Sequence, residues 1–177
     1  DECYEQLTYN KPFRSIASLT KKNNQIITFQ SCSKTYAMTG WRIGYIGGDK
    51  DVVKAISKLQ GQSTSCPNSI AQHAAIEALI GDQQCVLDMR KLFLQRRNLI
   101  LKKISQIHYV FCETPNGAFY VFPDFSSYLG GVDKKTNQKI KTSKDLSLYI
   151  LNQTGVVTVS GESFGSPQNI RFSYATS

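Results

Sequence analysis

One lysine stands out by its company. In Ser31-Cys32-Ser33-Lys34-Thr35-Tyr36-Ala37-Met38-Thr39-Gly40-Trp41-Arg42-Ile43-Gly44-Tyr45 it sits among small hydroxyl residues, with an arginine eight positions later. A lysine beside a second cation and partly withdrawn from water has a lowered pKa and attacks carbonyl carbons. Ser31, Ser33 and Arg42 are donors of the kind that hold a phosphate. Gly40 and Gly44 permit close backbone approach. By residue type alone, an ordinary solvated lysine in a polar loop fits the same spacing.

The elements around this segment follow from periodicity. Ile26–Gln30 and Ile43–Gly47 read as short strands on either side of it, an arrangement common in α/β folds. Asp49 or Asp51 can cap a helix carrying Val52, Val53, Ile56 and Leu59. Asn68 or Ser69 can cap a second, with Ile70, Ala74, Ala75, Ala78 and Leu79, stopped by Gly81. A third helix is expected over residues 82–107, about 39 Å long at 1.5 Å per residue, long enough to bridge two domains. After Pro115-Asn116-Gly117 the pattern turns to strands at 118–122, 156–159 and 170–174, with a helix near 143–153. The expected organisation is one α/β unit over residues 1–95 and a smaller α+β unit over 96–177.

Composition narrows the function classes. The 177 residues are 41% hydrophobic, which supplies a packed core and excludes a disordered or low-complexity chain. No apolar run approaches the roughly 18 residues of a membrane span. Cys3, Cys32, Cys66, Cys85 and Cys112 form an odd set without a C-x-x-C pair, so neither a disulfide framework nor a metal site is expected, and a reducing, cytoplasmic setting is. The net charge of +8 favours small anionic ligands. Its densest cluster, Lys134, Lys135, Lys139, Lys141 and Lys144, lacks interleaved aromatics and reads as a solvated loop, so no nucleic-acid partner is expected. The chain begins without methionine inside a working segment, and reads as a piece of a longer protein.

Residues 31–45 resemble the lysine signature of the class I aminotransferases that use pyridoxal phosphate (fold type I), S-K-x-[FY]-[AG]-M-x-G-W-R-x-G-Y. The match is ungapped and includes the only tryptophan of the chain. Asp1-Glu2-Cys3-Tyr4 is similar to the family's D-E-[IV]-Y segment, and Pro115-Asn116-Gly117-Ala118-Phe119-Tyr120 to its P-x-G-[AT]-F-Y strand. Gly161-Glu162-Ser163-Phe164-Gly165 followed by Ile170-Arg171-Phe172-Ser173-Tyr174-Ala175 is similar to G-x-x-F-G … [IV]-R-[ILF]-S-[YF]-A. Four motifs in order cover almost the whole chain. The nearest flavour is the bacterial-type aspartate and prephenate aminotransferases, whose members are roughly twice this length.

The resemblance implies the second half of a cofactor-binding large domain, a mostly parallel sheet with helices, over residues 1–95. It implies a small C-terminal domain, incomplete at its end, over 96–177. By the same resemblance Lys34 would carry pyridoxal 5'-phosphate and act as the proton-moving base. Asp1 would pair with the ring nitrogen and Tyr4 would donate to the ring oxygen, while Ser31 and Arg42 would hold the phosphate. Arg171 would clamp the substrate carboxylate as a two-pronged fork. The implied partners are an amino acid, aspartate first, a 2-oxo acid such as 2-oxoglutarate, and a second copy of the complete chain in a homodimer. Trp41, Tyr45, Tyr120 and Phe122 are expected as packing residues, Glu2 and Glu5 as structural or exposed, and His73 as packed or capped. Prephenate or aromatic transamination on the same scaffold, a lyase or synthase of the fold type, and a non-catalytic fragment serving as a binding module are the competing functions.

Overall fold

The computed structural model describes residues 1–20, 25–134 and 136–176. It divides into two compact units, Asp1–Lys91 and Leu92–Ser177, and the division falls within one long helix.

In the first unit, β1 (Thr28–Ser31) pairs antiparallel with β2 (Gly44–Gly47), Thr28 opposite Gly47 and Ser31 opposite Gly44. Between them lie α1 (Cys32–Thr35), one turn long, and a 3₁₀ turn, Thr39–Trp41. The mostly parallel sheet implied for the large domain is represented here by this antiparallel pair. A connection of a dozen residues folds straight back, whereas a parallel return needs a crossover, usually a helix, that lays the next strand in the same direction. The Ser31 hydroxyl starts α1 by accepting from the Ser33 N–H. Asp49 caps α2 (Lys50–Ser63), its carboxylate accepting from Asp51 and Val52 N–H at 3.0 and 3.3 Å. Asn68 does the same for α3 (Ser69–Ile80), which ends at Gly81. The core joins Cys32, Met38 and Ala75 with the half-buried Tyr36, Ile43, Ala74 and Ala78. That stripe selects the alanine face of α3, so His73, expected to be packed, stands exposed on the other side. α2 carries no buried residue: Val53 and Ile56 are half-buried, Val52 and Leu59 exposed.

α4 (Gln84–Ile104) has 21 residues, about 32 Å, shorter than the sequence pattern suggests because the chain tightens into turns beyond Ile104. The second unit is built on an antiparallel sheet ordered β3 (Tyr120–Val121), β5 (Ile170–Ser173), β4 (Val159–Ser160), with β5 central. β3 starts late because Ala118 adopts a left-handed φ of 58°, which takes it out of the strand. α5 (Ser143–Thr154) opens with a reciprocal cap between Thr142 and Asp145. Phe125, Ile140, Leu146 and Ile170 form the core, with Phe172 packed against it. The lysine-rich stretch is a hairpin-like loop in which Val132 bridges to Lys139; Lys135 lies outside the described residues.

Candidate active site

Lys34 occupies the last turn of α1, half-buried, where the strand gives way to helix. The turn is fixed from several sides. The Ser31 hydroxyl, besides capping α1, donates to Ser33 Oγ at 2.8 Å, and the Cys32 N–H reaches the Ile43 carbonyl at 3.3 Å. Gly44 faces Ser31 across the pair, and a Cβ there would stand 2.5 Å from the Gln30 carbonyl. Only glycine lets β2 approach so closely. Gly40 has open space instead, so the close approach expected of both glycines belongs to Gly44 alone. Ala37 (φ 54°) and Arg42 (φ 51°) both adopt the left-handed region within this connection. Each costs about 1 kcal/mol or more, strain of the kind that gathers at functional sites.

Arg42 is exposed, and its Nη1 donates to the Thr39 carbonyl at 2.9 Å. It lines an open cavity of about 750 Å³ with Gly40, Trp41, Pro67 and Asn68. Trp41 and Tyr45, expected as packing residues, stand nearly half exposed: their rings project from the tight turn and the strand rather than into the small core.

Asp1 and Tyr4 reach this region through β1. The Glu2 N–H donates to the Phe29 carbonyl at 2.8 Å, which lays the first residues beside the strand leading into Lys34. Gln30 secures them: its Nε2 donates to Glu2 Oε2 at 3.1 Å and to Glu5 Oε2 at 2.9 Å. Ser15 donates to Glu2 Oε1 at 2.7 Å. Glu2 and Glu5 are thus structural, as expected, and Gln30 is an anchor the sequence reading did not single out. The Asp1 carboxylate is exposed and accepts from the Cys3 N–H at 3.1 Å. A second unforeseen anchor is Gln83, whose Oε1 accepts from the Tyr36 hydroxyl at 3.0 Å while its Nε2 donates to the Ala78 and Gly81 carbonyls. Burial pushes the Tyr36 phenol above its ordinary pKa, assisted by Cys32, Glu5 and Cys85, and keeps it a donor. Burial likewise pushes up the Cys32 thiol, a core residue.

In the second unit, strand alternation turns Ile170 and Phe172 to the core and Arg171 to the opposite face. Tyr120 pairs with Ser173, the next residue on that face, and comes diagonally beside Arg171. The guanidinium carbon lies 4.5 Å from the Tyr120 ring centre and 4.4 Å from that of Phe164. Phe164 sits at the end of the 3₁₀ turn Gly161–Phe164. A Cβ at Gly161 would stand 2.1 Å from the Ser166 carbonyl oxygen, so the turn closes only on glycine. Tyr120, expected in the core, is half-buried and lines a cavity of about 500 Å³ with Phe111, Glu113, Asn116, Phe122 and Asn169. Its position beside a strand end, with the ring toward Arg171, removes it from the packed face.

A half-buried lysine, a carboxylate and a phenol on one anchored segment, and hydroxyls with an arginine around a strained turn make a donor set suited to a phosphorylated carbonyl compound. The family description that matches residues 1–177 is aminotransferase class I and II. The chain belongs to the class I and II aminotransferases. This aminotransferase chain is 42% identical over 179 residues to the aspartate aminotransferase of Geobacillus stearothermophilus, covering 100% of this chain and 44% of that protein. It is 39% identical to the aspartate/prephenate aminotransferase of Cereibacter sphaeroides, covering 99% of this chain and 44% of that one. The crystal structure of the aspartate aminotransferase from Rhizobium meliloti superposes with a TM-score of 0.93 at 40% identity, covering 100% of this chain and 44% of that structure. The fold is therefore α/β of fold type I. The chain spans under half the length of the relatives it matches.

Proposed function

We propose that the complete protein is an aminotransferase moving an amino group from aspartate to 2-oxoglutarate, with pyridoxal 5'-phosphate carried on Lys34. The observation that carries this reading is the Lys34 turn itself: a lysine on a one-turn helix, capped by Ser31, braced by Gly44 and followed by a strained Arg42. When bound, the cofactor supplies an electron sink for negative charge at the substrate Cα.

The residues fit that group. Ser31 and Arg42 would hold its phosphate, the arginine using donors beyond the one engaged with Thr39. Asp1 would keep the ring nitrogen protonated and Tyr4 would donate to the ring oxygen. The Lys34 amine would take the proton from the substrate Cα and return it on the other side of the transfer. Arg171 would hold the substrate α-carboxylate. Residues 1–95 are read as the second half of the cofactor-binding domain and 96–177 as the small domain, and the complete protein as a cytoplasmic homodimer.

The name of the Cereibacter relative favours a second reading, amino transfer to prephenate. The test is a steady-state comparison on the complete protein, with aspartate as donor and 2-oxoglutarate, prephenate and aromatic 2-oxo acids as acceptors. The proposal expects 2-oxoglutarate to have the highest kcat/KM. A higher value with prephenate selects the second reading, and no transfer with any acceptor overturns both.

A further inference from the structure

Arg171 is unusual in what surrounds it. It is half-buried on the central strand of its sheet, yet no described residue hydrogen-bonds or ion-pairs with its guanidinium. A partly desolvated arginine ordinarily takes a carboxylate or carbonyl, as Arg97 does on the Pro115 carbonyl at 2.9 Å and Arg96 on that of Ala175 at 2.6 Å. Arg171 has two aromatic rings instead. Both centres lie within 4.5 Å of its guanidinium carbon, well inside the ~6 Å range of cation–π attraction. The rings are themselves braced. Phe164 meets Phe122 edge-on at 5.9 Å, and Tyr120 packs on Phe119 at 4.7 Å.

We propose that Tyr120 and Phe164 are positioning residues that fix the Arg171 fork and make it select a flat carboxylate over a tetrahedral anion. The inference rests on the reading of Arg171 as the carboxylate clamp. Ring faces attract the cation but accept no ordinary N–H···O bond, so they hold the guanidinium without consuming its donors. Their centres also occupy two positions around the guanidinium, 4.5 and 4.4 Å from its central carbon. The five guanidinium N–H groups lie in one plane, and a carboxylate meets two of them side by side in that plane. A sulfonate or phosphonate carries a third oxygen out of that plane, where the guanidinium offers no donor and two apolar rings nearby cost it water. The same two rings therefore supply both placement and discrimination.

The experiment uses the complete, cofactor-loaded protein and two non-reacting probes, succinate and ethane-1,2-disulfonate, with Kd measured by competition against aspartate. The unmodified protein is expected to prefer succinate by at least about tenfold. Tyr120→Leu and Phe164→Leu should each weaken succinate about tenfold, a fold-change within the cation–π range, and shrink that preference. KM for aspartate should rise in step while kcat moves less than about threefold. Tyr120→Phe, which keeps the ring, should restore both affinity and preference, and melting temperatures identify any variant that fails to fold. Phe164→Tyr serves the same purpose at the other ring. An unchanged Kd in the leucine variants, or an equal loss for both anions, overturns the proposal. If instead Arg171→Lys leaves succinate binding unaltered, the reading of Arg171 as the clamp fails, and the proposal with it.

Discussion

The two regions that carry the proposed chemistry are held by opposite means. Around Lys34 the scaffold is polar: Ser31 caps the turn, Gln30 ties the Asp1–Tyr4 segment to β1, and Gln83 takes the Tyr36 hydroxyl. Around Arg171 it is aromatic, with no hydrogen bond to the guanidinium among the described residues. For the proton transfer proposed for Lys34 the backbone must be held closely in place, and directional hydrogen bonds do that. An anion clamp needs its donors left available, and ring faces hold a cation without using them. The difference lies in what each side chain must keep uncommitted.

The comparison breaks most visibly at the reacting group. Lys34→Ala in the complete protein should lower kcat by about 10³-fold or more, since both the cofactor attachment and the proton-moving amine are lost. Steady-state assay with aspartate checks it. Arg171→Lys keeps the charge and loses the fork. It should raise KM for amino and oxo substrates by about 10- to 100-fold, the worth of a charge-assisted pair of hydrogen bonds, and leave cofactor binding much less affected. A cofactor titration alongside the kinetics separates the two effects.

Gly161→Ala tests whether the aromatic side depends on its turn. The added Cβ collides with two backbone carbonyls, at 2.1 and 2.4 Å, and should cost about 1–3 kcal/mol in stability while raising KM through a displaced Phe164. Ser31→Ala tests the polar side and should remove about 1 kcal/mol, seen as a fall in Tm of roughly 2–4 °C. The smallest effect is a pH dependence. Lys141 and Thr142 N–H groups, each 3.0 Å away, hold the Asp145 carboxyl below its ordinary range. A group lowered in the folded state stabilises above its unfolded pKa, about 3.9, and that support fades as the pH falls through the folded value. Amide protection factors at the start of α5 should drop below pH 4. Tyr36 acts with the opposite sign: its raised phenol supports the fold below pH 10, and the Gln83 bond should weaken as alkali ionises it.

Elements with strong local signals were legible in the residues. Asp49 and Asn68 announced α2 and α3, and residues 170–174 read as a strand where β5 lies. Strand ends were less so, because Ala118 leaves the strand through a backbone angle that no residue type advertises. The lysine segment was legible as a candidate site, but the α1 turn within it was not, since four residues carry no period. Gln30 and Gln83 escaped notice, and Phe164 was noticed only as part of a motif, for one reason. Each acts through a partner distant in sequence, and only the fold brings Gln83 to Tyr36 or Phe164 to Arg171. Tyr120 misled because an aromatic on a short strand looks the same whether its face meets a core or a cation.

The central claim is that Lys34 is the residue this scaffold exists to place. Borohydride reduction of the cofactor-loaded complete protein, followed by peptide mapping, tests it directly. The account predicts a pyridoxyl group on the peptide containing Lys34 and its loss in Lys34→Ala. A label on any other lysine, or none at all, contradicts it.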